Sequence, residues 1–174
     1  FLPIDLLRKS PLQQSFALRA IKFLRIVSQA AHQLRQINNQ PNGPTIKLPN
    51  SIISVVNAYY YTDCHCGNTG ASENMLRVQI ETLRLMSSLY MLSEFSNHIF
   101  STITLDQTPL IEHTRALTRL DVLKPIHSPS SIDWQYAASL VDLLGRMMNY
   151  ERLNTASCFI QPLWINFVRP LTFQ

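Results

Sequence analysis

After Ser10-Pro11, apolar residues recur at alternating steps of four and three: Phe16, Ala20, Phe23, Val27, Ala30, Leu34 and Ile37. That spacing follows the turn of an α-helix and not the alternation of a strand. Ser10 is a good N-cap, and Pro11 fits the first turn, where its missing amide has no partner to lose. Arg19, Lys22, Arg25, Gln29, Gln33 and Gln36 take the other side. The pattern predicts a helix over residues 11–37, about 40 Å long, with the apolar row as its buried seam.

The next residues limit where that helix can go. Asn38-Asn39-Gln40-Pro41-Asn42-Gly43-Pro44 is dense in turn formers and ends it. Ile52, Ile53, Val55 and Val56 form a short apolar stretch, read as a helical turn or strand lying on a bundle. The connection over residues 38–72 is longer than packed neighbours need, and long enough to carry the chain back to the end where it began.

Three further helices are expected. Ser72 caps one over 73–100, with a seam of Leu76, Ile80, Leu83, Met86 and Tyr90 continued by Leu92, Phe95 and Ile99. Thr108-Pro109 opens another over 109–124, with Leu110, Leu117, Leu120 and Leu123 inward and Pro125 as its stop. Ser130 and Asp133 resemble a capping box for the last, over 131–160, with a seam through Trp134, Ala138, Val141, Leu144 and Met148. Residues 162–174 read as an irregular apolar tail. The expectation is therefore one all-α domain over 1–174, a four-helix bundle. The long first connection makes it up-up-down-down.

Composition removes several function classes. Charged residues make up only 15% of the chain, so part of the surface either relies on neutral polar groups or is covered by a partner. The net charge of +4 comes from scattered Lys and Arg, without the basic run or interleaved aromatics of a nucleic-acid groove. No apolar run reaches the roughly 18 residues of a membrane span, so no membrane insertion is expected. Phe1 in place of an initiator Met predicts a processed or trimmed chain.

No catalytic, cofactor or phosphate-binding motif appears. The five histidines (32, 65, 98, 113 and 127) lie far apart, and Glu94, Glu112, Asp121 and Asp142 do not pair at acid–base spacing. The chain therefore reads as a non-enzyme without cofactor or metal. Cys64-His65-Cys66 supplies two soft ligands, but Cys158 is the only other thiol, too little for a closed zinc site. In an oxidising compartment Cys64 or Cys66 would pair with Cys158. One thiol is then left over, either free or joined to another chain. Trp134, in the first turn of the last helix, has two readings: a core residue sealing the bundle end, or an exposed anchor for a partner.

The chain also carries a family resemblance. Ser10-Pro11-Leu12-Gln13-Gln14-Ser15-Phe16, followed by Leu18 and Ile26, resembles the start of the first helix in long-chain helical cytokines of the interleukin-6 and interleukin-12 type. The segment 63–67 leading into Glu73–Phe100 is similar in placement to the stretch before their second helix. Asp133-Trp134-Gln135 is similar to a Trp-Gln opening of their fourth. The resemblance implies a secreted protein that brings cell-surface receptor chains together, alone or with a disulfide-linked or non-covalent beta subunit. It implies Trp134 as the grip on one receptor. The first and last helices would present a second face, with Arg19, Lys22, Arg25 and Arg152 as charged contacts. The family's arginine late in the last helix falls here at about Ala156, one turn after Arg152. The contrasting class is a structural helical protein, such as a viral component, that self-associates through its apolar tail.

Overall fold

A computed structural model describes residues 11–38, 48–60, 73–105 and 132–149. Among them the chain forms five helices and no strand: α1 (Pro11–Asn38), α2 (Ser51–Tyr60), α3 (Glu73–Tyr90), α4 (Ser93–Leu105) and α5 (Ile132–Asn149). The fold is all-α. The expected helix 109–124, the end of the last helix after Asn149, the tail, Arg152 and all three cysteines lie outside the described residues.

α1 begins at the expected proline and ends at Asn38, the first residue of the turn-forming cluster. The short apolar stretch is a helix, α2, whose Ile52, Val56 and Tyr60 recur every four residues on one buried face. Its first turn is tightened by amides of Ile52 and Ile53 donating to the carbonyls of Pro49 and Asn50.

The helix expected over 73–100 is two helices. The Leu92 amide donates to the Leu89 carbonyl at 2.9 Å, and the Leu92 carbonyl then accepts from both Phe95 and Ser96. The buried row Val78, Thr82, Leu85 and Leu89 reaches Leu92 at unbroken helical spacing, so the apolar pattern does not announce the break. Beyond it Leu92, Phe95, Ile99 and Ile103 join the same core as Leu83, Met86 and Tyr90.

α3 is the centre of the molecule. From Val78 to Tyr90 every residue except Arg84 is buried. α1 and α5 lie along it, and α2 and α4 also pack against it. Contacts between the long helices climb in step. Arg25 of α1 meets Glu81, and ten residues on Arg35 meets Glu94 at the start of α4. Arg84 and Ser87 of α3 meet Ser139 and Asp142 of α5. α1, α3 and α5 therefore run in the same direction. For α1 and α3 this is what the long first connection predicts. For α5 it corrects the up-up-down-down expectation, in which the last helix runs against the first two.

Two expected seams are also corrected. α1 buries Gln14, Ala17, Ile21, Ser28 and Ala31, whereas Phe16, Phe23 and Ile37 face solvent. α5 buries Tyr136, Ala137, Leu140, Leu143, Leu144 and Met147, whereas Trp134, Ala138 and Val141 of its expected seam are exposed. Each helix has apolar residues on two faces, and the face set against α3 is the one that packs closest. On α1 that face is small: Ala17, Ser28 and Ala31 let the two backbones approach, and the Ser28 hydroxyl donates a hydrogen bond to the Leu24 carbonyl at 2.7 Å. Ile21 is the large side chain there, its burial contributing about 1.5–3 kcal/mol.

Candidate functional site

With α3 as floor and α1 and α5 as walls, the molecule has a polar trough along one side. Lys22, Arg25, Gln29, His32 and Gln33 face it from α1, and Gln135, Asp142 and Arg146 from α5. Its two hollows measure about 480 and 400 Å³.

The trough is organised around one buried carboxylate. Glu81 is 4% exposed, and its two oxygens accept from Arg25 Nε at 2.8 Å and Arg84 Nη1 at 2.9 Å. Arg84 Nε donates on to Ser139 Oγ at 3.1 Å, and that hydroxyl donates to the Gln135 carbonyl at 2.7 Å. A single chain of bonds thus joins α1, α3 and α5. One turn further along, Ser87 donates to Asp142, which Arg146 Nε also approaches at 3.0 Å. A buried charge is tolerated only when paired and hydrogen-bonded, and Glu81 has both. This arrangement holds helices together. No group of three His, Cys, Asp or Glu side chains gathers to hold a metal among the described residues.

The sequence candidates divide accordingly. Arg25, expected as a receptor contact, is turned inward onto Glu81. Arg19 and Lys22 are exposed. Lys22 borders the same hollow as Ile132 and Gln135, so it stands level with the start of α5. Trp134 is at that end and 40% exposed, next to Gln135. Its ring is therefore neither fully buried nor fully exposed. With Ala138 and Val141 it forms a short apolar row on the outside of α5. Arg152, Cys64, Cys66 and Cys158 are outside the described residues.

Two features escape the sequence patterns. Glu81 and Arg84 are legible as a helical pair three residues apart, but nothing marks Arg25, 56 positions away, as their partner. The outer face of α1 shows as an apolar row, and a row of that strength reads as core. Phe23 is instead 65% exposed, and Leu12, Phe16, Ile26 and Ile37 stand out beside it.

No protein-family model, no curated protein and no solved structure matches the chain. No helix among the described residues is long and apolar enough to cross a membrane.

Proposed function

We propose that the chain is a secreted helical cytokine that binds cell-surface receptor chains and brings them together, with Trp134 as the anchor of one contact. The observation that carries this reading is an indole left 40% exposed at the first turn of α5. Tryptophan on a rigid helix is the residue type that most often dominates a protein interface, because it presents a large contact area with little entropy to lose. Lys22 supplies a charge at the same end, and Arg19 a second on α1. On this reading Arg152 and the cysteines serve the receptor face or a second subunit.

The test is binding of the purified chain to interleukin-6- and interleukin-12-type receptor ectodomains, beside Trp134→Ala. Saturable binding that weakens by about 2–4 kcal/mol in a variant of unchanged melting temperature supports the reading. No binding by the folded wild type, with candidate beta subunits added, overturns it in favour of a structural protein.

A further inference from the structure

We propose that the larger hollow of the trough binds the phosphate or sulfate group of a small polar molecule, held by Arg25 of α1, Arg84 of α3 and Arg146 of α5. The inference goes beyond the receptor reading and does not depend on it.

Donors outnumber acceptors around this hollow. Every oxygen of the two carboxylates paired with these arginines is engaged. Glu81 accepts from Arg25 Nε and Arg84 Nη1, one bond to each oxygen, and Asp142 accepts from Ser87 and from Arg146 Nε. The guanidiniums are not used up. Arg25 gives Nη1 to Gln29 at 3.2 Å and Arg84 gives Nε to Ser139, so each keeps its Nη2 without a hydrogen bond among the described residues. Arg146 keeps both Nη1 and Nη2. Three guanidiniums against two carboxylates also leave one positive charge over. What these side chains still offer is cationic N–H, the partner of an anion.

Geometry narrows the anion. The three arginines come from three helices, and each is anchored on a carboxylate, so less side-chain freedom is lost when a ligand is bound. A carboxylate ligand has two oxygens and is satisfied by one guanidinium fork. A phosphate or sulfate ester group offers three oxygens and accepts from several guanidiniums at once. The hollow, about 480 Å³, falls in the size range of small-molecule sites and exceeds what a bare ion needs. Gln29, Gln33 and Ser88 on its lining suit a hydroxylated body.

The test is isothermal titration calorimetry on the full chain at constant ionic strength, with glycerol phosphate, inorganic phosphate, inorganic sulfate and acetate as probes. Saturable one-to-one binding of glycerol phosphate is expected, with acetate much weaker, and the tighter of phosphate and sulfate names the group. Arg146→Gln should weaken binding about tenfold or more, since the lost hydrogen bonds are charged. Its circular dichroism spectrum should be unchanged, because Arg146 is exposed and takes no part in the Glu81 bridge. Arg19→Gln removes the same charge outside the hollow and should leave binding as it was. Absence of saturable binding overturns the proposal. So does acetate binding as tightly, affinity that Arg146→Gln leaves intact, or an equal loss in Arg19→Gln. Glycerol phosphate excluded while inorganic phosphate binds would mean a site for the bare ion, and overturns it as well. Receptor binding by Trp134 is read separately, so either idea can fail while the other stands.

Discussion

Arg35 closes on Glu94 with both guanidinium nitrogens, Nη1 and Nη2 each 2.6 Å from a carboxylate oxygen, and so pins the last turn of α1 to the first turn of α4. This two-bond geometry is the strongest form an exposed ion pair takes. It sits where the chain has just turned out of α3, so it holds the turn at Met91-Leu92 from the far side.

The pair gives the fold an acid limb. The hydrogen bonds from Arg35 hold the Glu94 carboxyl below its ordinary 4.5. A depressed carboxyl contributes stability that is complete above the unfolded value and is lost as pH falls through the folded one. Glu94→Gln should leave less acid sensitivity below pH 4.5, and at neutral pH should cost no more than about 1 kcal/mol, since both partners are part-exposed and screened. Urea unfolding from pH 3 to pH 7 in low and high salt checks both, the difference shrinking with salt.

Removing Glu81 should be far more harmful. Glu81→Ala leaves Arg25 and Arg84 facing each other over α3 and is expected to cost about 3–5 kcal/mol. Arg25→Met alone should cost less, because Arg84 still pairs with the carboxylate. A double-mutant cycle on Arg25 and Glu81 should show coupling. Additive effects would mean the buried bridge contributes nothing.

The two faces of α1 should respond in opposite ways. Ile21→Ala, against α3, is expected to cost about 2–5 kcal/mol. Phe23→Ser, two residues on, should stay within about 0.5 kcal/mol. Equal costs at the two sites would place Phe23 in a core.

At Ala31, 1% exposed between α1 and α3, the substitution Ala31→Leu should overpack the contact and cost about 1–3 kcal/mol. A thermal melt reads it directly.

Gly145 is the reverse case. It lies within α5, and a Cβ built there meets nothing within 4 Å. Gly145→Ala should therefore stabilise the chain by about 0.5–1 kcal/mol by restricting the unfolded state, visible as a higher melting temperature.

These contrasts show how far the sequence reaches. Helix starts at Pro11, Glu73 and Ile132 are legible because caps and prolines act locally. The break at Met91 is not, because the buried series Leu85, Leu89 and Leu92 runs through it at helical spacing. Inward faces fail on α1 and α5 for a different reason. Phe16 and Phe23 look more like core than Ala17 and Ala31, yet close approach to α3 selects the smaller side. Trp134 is legible as a residue of interest, its exposure is not, and the Arg25–Glu81 bond depends on a contact no local pattern announces.

Three parallel helices also give the molecule an electrical axis. Neighbouring antiparallel helices cancel their dipoles, whereas α1, α3 and α5 add theirs, each placing about half a positive charge at its N-terminus. The starts of α3 and α5, the latter carrying Trp134, lie together beside Lys22, with Glu73 in the first turn of α3 offsetting part of the field, while α1 begins about three turns before Lys22. Dipoles that add in this way draw an acidic surface toward the N-terminal side of the three helices, an attraction that weakens as salt is added.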